Sequence, residues 1–157
     1  MYYVLACADD SDRIVESDEK NNCLASNGRV AITGPDLVVT AVSNPPATSG
    51  LGWSFAVTDT LQNQGGAGAG DSVTRYYLSL DTVRNGGDVL LSGQRAVGSL
   101  AVAGTSTGNA TVIIPLNAPG GTFYLLACAD DTSLVVETVE ANNCRASATR
   151  VNIPVFQ

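Results

Sequence analysis

Short segments in which apolar and polar residues alternate cover most of this chain. Along residues 53–61, Trp53, Phe55, Val57 and Leu61 share one side, because successive side chains of a strand point to opposite faces. Turn-forming sequences such as Asn85-Gly86-Gly87-Asp88 separate these segments. No segment shows the 3.6-residue apolar period of a capped helix. The pattern therefore predicts an all-β protein.

About seven short strands are predicted in the stretch from Pro35 to Ile153. Short strands with regularly spaced turns are typical of an immunoglobulin-like antiparallel β-sandwich. We expect Trp53 in the core, and Tyr76, Leu78 and Leu80 together on one face. The predicted strands are residues 37–42, 53–61, 73–80, 111–116, 122–129 and 145–153, with short edge segments at 89–91 and 95–97.

The two ends of the chain carry copies of one sequence. Residues 2–32 align without a gap to residues 123–153, and 18 of the 31 aligned positions are identical. A repeat of this kind indicates a structural unit that occurs more than once. We therefore predict that residues 1–34 are the C-terminal hairpin of a truncated preceding repeat and that residues 35–157 are a complete domain.

The N-terminal hairpin is predicted to need a partner. An isolated two-stranded hairpin is marginally stable in water. The link of residues 32–37 is too short for the hairpin to fold back into its own sandwich, so we expect docking on another copy, head to tail, into a fibre. In the alternative interpretation, the hairpin is only a cut edge of a longer protein. The apolar side chains expected to carry assembly are Tyr2, Tyr3, Val4, Leu5, Ile14 and Val15.

Several sequence elements together resemble a known family. They are PDLVVTAVS, SFAVTDTLQNQG, YYLSLD, and FYLLACADD followed by VVETVEANNC. In combination they are similar to the CARDB family, the cell-adhesion-related domains found in bacteria, over Pro35 to about Ile153. The resemblance implies an immunoglobulin-like sandwich of secreted or surface proteins, often in tandem arrays. It implies no catalytic site.

Composition excludes several classes of function. The 157 residues are 45% hydrophobic and carry a net charge of −7, with Lys20 as the single lysine, which disfavours nucleic-acid binding. Histidine is absent, so there is no Ser-His-Asp triad and no histidine-ligated zinc. No apolar segment approaches the length of a membrane-spanning helix. Residues 1–3 do not resemble a signal peptide, so we expect a missing leader or a start within a longer protein.

The four cysteines form two pairs with the same spacing. Cys7 and Cys23 occupy the same positions in the first copy as Cys128 and Cys144 in the second. Each pair falls on two strands that would form a hairpin, where a disulfide would stabilise by about 3 kcal/mol. The alternative is a metal site, for which this spacing is a poor zinc pattern. Disulfides predict an oxidising compartment and an extracellular or cell-surface location.

Acidic residues suggest two candidate calcium sites. Calcium prefers several converging oxygen ligands. The alternative is that these loops are solvated turns whose Asp and Asn side chains bond the local backbone. The first candidate comprises Asp130, Asp131, Glu137 and Glu140, and the second comprises Asp81, Asn85 and Asp88.

Three single residues are candidates for a functional role. Asp59 falls on the inward side of its strand. It is either a structural anchor that accepts hydrogen bonds from a neighbouring loop or hydroxyl, for example Thr58 or Thr60 neighbours across the sheet, or a perturbed catalytic carboxylate. Asn109 begins a glycosylation sequon. Trp53 is either a core residue or a sugar-stacking platform.

The sequence as a whole predicts a non-catalytic extracellular structural or adhesion module. Its expected partners are proteins, either other copies of itself or neighbouring repeats. The alternative function is that of a carbohydrate-binding accessory module of a secreted hydrolase, which would need exposed aromatic residues on one face. An enzyme with paired carboxylates is the third reading, but no insertion that would form a cleft is visible.

Overall fold

The computed structural model of the chain describes residues 1–154. It divides into two compact units, Met1–Thr33 and the segment that begins at Gly34. The described residues form strands and turns without a helix. Among residues 1–154, no helix has the length and apolarity needed to cross a membrane. The all-β prediction is confirmed.

The first unit is a β-hairpin. Strand β1 (Tyr2–Cys7) pairs antiparallel with β2 (Cys23–Val30), with Tyr2 opposite Val30 and Cys7 opposite Cys23. A bulge lies between Tyr3 and Leu5, where the register shifts. A two-stranded sheet has no second layer of its own to cover either face.

The second unit is a seven-stranded antiparallel sandwich, as predicted. Its hydrogen-bonded order is β3-β4-β7-β6-β5-β8-β9. β3, β4 and β7 form one layer, while β6, β5, β8 and β9 form the other, and the two layers face each other across the core. The strands are β3 (Leu37–Val42), β4 (Ser54–Asn63), β5 (Ser72–Ser79), β6 (Val89–Val97), β7 (Thr105–Ile113), β8 (Gly121–Cys128) and β9 (Cys144–Ile153).

The prediction of two short edge segments at 89–91 and 95–97 is wrong. They are one continuous strand, β6, which is the outer strand of its layer, pairs with β5, and joins β7 at Ser92, which faces Ile113. Gly93 makes this continuity possible because its φ is +105° and a Cβ there would lie 2.2 Å from the Thr111 carbonyl oxygen. Only glycine tolerates both the conformation and the contact.

Two predictions fail at strand ends, that of Trp53 in the core and that of Leu80 on one face with Tyr76 and Leu78. Trp53 precedes β4 and is 65% exposed, with its indole lying against Gly50. Leu80 follows the end of β5 and is 70% exposed, whereas Tyr76 and Leu78 are fully buried. Alternation along the sequence identifies a face, but it does not show where the strand enters or leaves the sandwich.

Candidate functional site

The apolar face of the hairpin is exposed, although the same positions are buried in the second copy. We call Tyr2, Val4, Ile14, Val30 and Ile32 the hairpin face. Within the hairpin unit nothing covers these side chains, because the unit is a single sheet. They are 65, 57, 65, 50 and 76% exposed, whereas their counterparts Phe123, Leu125, Val135, Val151 and Ile153 are 4, 0, 7, 0 and 1% exposed.

The sandwich shows what covers the equivalent face. Phe123, Leu125 and Val151 on β8 and β9 belong to the main core, where they are enclosed with residues of β3, β4 and β7. The hairpin therefore has one half of a sandwich interior and lacks the other half. Exposed apolar side chains that are contiguous on one sheet face are typical of an interaction surface.

Only half of the side chains predicted for assembly point to this face. Tyr2, Val4 and Ile14 do. The second copy places the remaining three predicted residues differently, because the counterparts of Tyr3, Leu5 and Val15 avoid the main core. Those counterparts are Tyr124, which stacks under Arg150, Leu126, which joins a small separate cluster with Tyr77 and Cys128, and Val136, which is 90% exposed.

Each hairpin is closed by a disulfide, as predicted. The structure bonds Cys7 to Cys23 and Cys128 to Cys144, with Cα–Cα distances of 4.1 and 4.0 Å. Both pairs are opposite each other at the ends of antiparallel strands. Structural disulfides persist in oxidising environments, which supports an extracellular setting.

The loop after each first cysteine has the same conformation in both copies. The Asp130 carboxylate accepts hydrogen bonds from the backbone N–H groups of Leu134 and Val135, at 3.1 and 2.8 Å. Asp9 accepts the equivalent bonds from Arg13 and Ile14, at 3.0 and 2.7 Å. Short acidic side chains that bond nearby backbone groups stabilise turns. The loop is therefore built by the repeat sequence itself.

One end of the sandwich is fastened by the loop between β8 and β9. The Glu137 carboxylate accepts the backbone N–H of Leu37 through Oε2 and the side-chain amide of Asn143 through Oε1, the latter at 3.0 Å. The backbone N–H of Thr138 donates to the Pro35 carbonyl at 2.9 Å. These bonds tie the last hairpin to the start of β3.

Asn63 fastens the same end through a second set of hydrogen bonds. It is fully buried, and its Nδ2 donates to the carbonyls of Ala67 and Leu100 at 2.8 and 3.1 Å. Its Oδ1 accepts the backbone N–H groups of Asp36 and Gly65 at 3.2 and 3.1 Å. A buried amide that satisfies several backbone groups at once fixes the relative positions of the segments it joins.

Three of the sequence elements that carry the family resemblance meet at this end, namely the start of PDLVVTAVS, the end of SFAVTDTLQNQG, and VVETVEANNC. Gln64 Nε2 donates to Asp36 Oδ2 at 3.1 Å, and Asn142 Nδ2 donates to Asp36 Oδ1 at 3.0 Å. A Cβ at Gly65 would lie 2.4 Å from the Gly34 carbonyl oxygen, so the loop requires glycine here. We call this end, formed by residues 34–37, 63–65 and 137–143, the entry pole. The sequence shows these three elements but not that they converge.

Asp59 is an anchor that accepts a hydrogen bond from a hydroxyl, as predicted, but the hydroxyl belongs to Tyr76, and Arg95 is a partner that was not predicted. Asp59 is 1% exposed and accepts hydrogen bonds from Tyr76 Oη at 2.6 Å and from Arg95 Nε at 2.9 Å. Burial, together with the hydrogen bond to Asp59, raises the pKa of Tyr76 well above its usual value. The threonines predicted as partners bond elsewhere, since Thr58 donates to Asn109 and Thr60 pairs with Thr107. The group links β4, β5 and β6 inside the core.

The predicted calcium ligands have other partners. Asp81 Oδ1 accepts the Val83 N–H at 2.8 Å, and Asp88 Oδ2 accepts the Asn85 N–H at 2.7 Å while lying 3.8 Å from Arg84. The Asp131 carboxylate accepts a hydrogen bond from the Tyr77 hydroxyl and forms an ion pair with Arg75. The Glu140 carboxylate accepts the backbone N–H of Glu137. In the part of the chain that the structure describes, no group of three or more His, Cys, Asp or Glu is arranged to hold a metal ion. Calcium binding stays a prediction.

The Glu137 contact predicts a pH dependence of stability. Burial is the main cause that raises the pKa of Glu137 to about 7 from 4.5, and repulsion from Glu140 and Asp130 raises it further. The hydrogen bonds from the Leu37 N–H and the Asn143 amide act in the opposite direction and lower it. Because the folded pKa lies above the unfolded one, the folded chain binds more protons in this window, and the free energy of unfolding falls as pH rises from about 5 to 7. Glu137 is partly exposed, so we expect a loss of about 1 kcal/mol.

The matched variant for this prediction is Glu137→Gln, which cannot titrate. Urea unfolding at several pH values between 5 and 8 measures the free energy of unfolding of both proteins. We expect the free energy of unfolding of the original chain to fall by about 1 kcal/mol relative to that of the variant between pH 5 and 8, because only the original chain carries a carboxyl group that ionises there. Parallel curves for the two proteins would show that Glu137 does not titrate in this range.

Comparison with known proteins shows the family. The CARDB family model matches residues 34–147. The CARDB domain of the PF1109 protein from Pyrococcus furiosus, solved in complex with di-metal ions, is 21% identical, with a TM-score of 0.52, and the match covers 81% of this chain and 95% of that chain. A domain of a candidate cell surface protein from Methanosarcina acetivorans is 19% identical, with a TM-score of 0.51, covering 78% of this chain and 95% of that chain.

At these sequence identities, the similarity to the solved structures shows only that the fold is shared. A search of curated proteins finds no match. The family model spans most of the second unit, including the three sequence elements that meet at the entry pole. The chain belongs to the CARDB family, a family of cell-surface-associated domains.

Proposed function

We propose that this chain is a non-catalytic, extracellular module of a tandem cell-surface array, in which it serves spacing or adhesion. The observation that carries the proposal is the hairpin face, which is exposed here and buried in the second copy of the same sequence. A module whose end carries part of a neighbouring domain is suited to continuous contact between repeats. The two disulfides support a setting outside the cell.

The partners in this proposal are other copies of the chain or neighbouring repeats. Between identical chains, the hairpin of one copy docks on the sandwich of the next, and the head-to-tail contact propagates into a fibre because it does not close. Each sandwich already holds its own β8–β9 hairpin, so exchange requires that hairpin to open first. Assembly of identical chains is therefore expected to be slow and to depend on concentration.

Light scattering with negative-stain microscopy tests this assembly on the full chain. We expect association that increases with concentration and that is abolished in Ile14→Asp, because a carboxylate on the hairpin face would be buried without a partner. The matched control is Val15→Asp, since Val15 and its counterpart Val136 are 96 and 90% exposed. The control is expected to assemble like the original chain. A chain that stays monomeric at every concentration would contradict the fibre proposal.

Trp53 favours the carbohydrate-binding alternative. Its indole is 65% exposed and lies against Gly50, where a Cβ would be 3.2 Å from the ring, so one face is supported by the backbone. Supported aromatic rings of this kind stack on apolar faces of ligands. Binding to a glycan array that is lost in Trp53→Ala would establish this second function, and a blank array would remove it.

A further inference from the structure

The hairpin unit matches the final hairpin of the sandwich in its polar loop as well as in its apolar face. Glu137 in the second copy accepts the backbone N–H of Leu37, and Asn142 donates to Asp36. Their counterparts in the hairpin unit are Glu16 and Asn21. Over residues 1–154, no hydrogen bond reaches the carboxylate of Glu16 or the side chain of Asn21, although the loop around them is formed, with the Glu16 N–H bonded to Glu19.

We propose that the hairpin face, together with Glu16 and Asn21, is a docking surface for a five-stranded CARDB half, equivalent to β3–β7, that lacks a final hairpin of its own. This inference rests on the proposed function and names the partner of the same surface. The occupant presents the apolar inner face of its strands to the hairpin face. It also presents a Pro-Asp-Leu segment, whose leucine N–H is accepted by Glu16 and whose aspartate is bonded by Asn21.

Two features of the hairpin unit favour this occupant over a nonspecific apolar partner. The first is steric, because the hairpin face has nearly the same side chains as its buried counterpart. Tyr replaces Phe, Val replaces Leu and Ile replaces Val in the hairpin, and the other two positions are identical. Such changes keep a core packable. The second is polar. A nonspecific apolar partner would leave the Glu16 carboxylate desolvated without a donor, whereas a CARDB half supplies a backbone N–H at that point.

A complete second copy of the chain is a weaker partner than such a half. In a complete copy the place of the docked hairpin is taken by β8–β9, which is part of the same chain and therefore has a high effective concentration. A half without its hairpin offers the same surface with no competitor. The hairpin should therefore complete such a half more readily than it exchanges into a finished sandwich.

The test adds the missing half to the intact chain. Residue 122 corresponds to Met1 in the repeat alignment. A second copy of residues 34–121 is therefore fused directly to Met1, so that the fusion protein contains the added half followed by the full chain. Amide hydrogen exchange then reports on the hairpin at Leu5 and Cys7 and, in the same sample, on the intact sandwich at Leu126 and Cys128.

We expect the hairpin amides to slow by about 1,000-fold or more relative to the original chain, because they become part of a cooperatively folded domain. Ile14→Asp should abolish this protection, and Val15→Asp should leave it intact. Glu16→Ala should lower the melting temperature of the new domain, whereas Asp18→Ala, at a position equivalent to Val139, should not. Leu126 and Cys128 should stay protected throughout.

Fast exchange at Leu5 and Cys7 in a sample that protects Leu126 and Cys128 would overturn the inference. It would mean that the hairpin does not dock on the added half, although that half is joined to it. Equal effects of Ile14→Asp and Val15→Asp would overturn it as well. This outcome is separate from that of the fibre proposal. A chain that never assembles with itself but completes the added half would contradict the fibre and support the docking surface.

Discussion

Replacing Asp59 by alanine is expected to cost about 3–5 kcal/mol of the free energy of unfolding, the larger of the two strongest effects predicted for single residues. The substitution leaves the Arg95 guanidinium, which is 8% exposed, buried without its carboxylate, and it removes the acceptor of the Tyr76 hydroxyl. Urea unfolding followed by tryptophan fluorescence measures the change. Asp71→Ala, at an exposed aspartate, sets the baseline and should change stability by less than about 0.5 kcal/mol.

A double variant separates the ion pair from the packing around it. Asp59→Leu with Arg95→Met removes both charges, and replacing a buried pair by apolar residues of similar volume is often close to neutral. We therefore expect the double variant to be more stable than Asp59→Ala. A double variant that is destabilised as much as the single one would show that the pair itself, and not the uncompensated charge, determines the loss.

Replacing Asn63 by alanine is expected to destabilise the sandwich by about 3 kcal/mol or more. The change leaves the N–H groups of Asp36 and Gly65 and the carbonyls of Ala67 and Leu100 without this partner at a buried position. Unfolding in urea gives the magnitude, and amide exchange at Asp36 and Gly65 should accelerate.

The adjacent Gln64 provides the control for Asn63. Gln64→Ala removes one hydrogen bond, to the Asp36 carboxylate, from an exposed side chain. We expect a loss of about 0.5–1 kcal/mol. Similar losses for the two variants would contradict the role assigned to Asn63 at the entry pole.

The sequence predicted the fold class because alternation and turns are local properties. Local patterns do not place strand ends, so they predict Trp53 in the core. Nor do they show that β6 continues through Gly93, where the backbone has a positive φ. Whether a glycine breaks a strand or bends it depends on the neighbouring strand, here the Thr111 carbonyl.

The buried polar contacts were beyond the sequence for a related reason. Asp59 was recognised as an inward carboxylate, but Arg95 lies 36 positions away and nothing in the spacing links the two residues. Asn63 was visible as part of a motif, yet its role appears only when the backbone groups of three loops are counted together. Polar satisfaction is a tertiary property.

The hairpin was predictable from the repeat, but the direction of its side chains was not. The segment Tyr2-Tyr3-Val4-Leu5 is apolar at every position, so alternation gives no face. The second copy resolves this, because Phe123 and Leu125 lie in the main core while Tyr124 and Leu126 lie outside it. Comparison between two copies of one sequence thus supplied what the pattern lacked.

Amide hydrogen exchange on the unmodified chain at low concentration tests most directly whether the hairpin face awaits a partner. The comparison is internal, since residues 5–10 are identical to residues 126–131, although Val4 precedes Leu5 where Leu125 precedes Leu126. We predict that the hairpin amides exchange about 1,000-fold faster or more, because their sheet lacks the second layer that protects β8. Equal protection of the two pairs would contradict the account, because it would mean that the hairpin face is already covered.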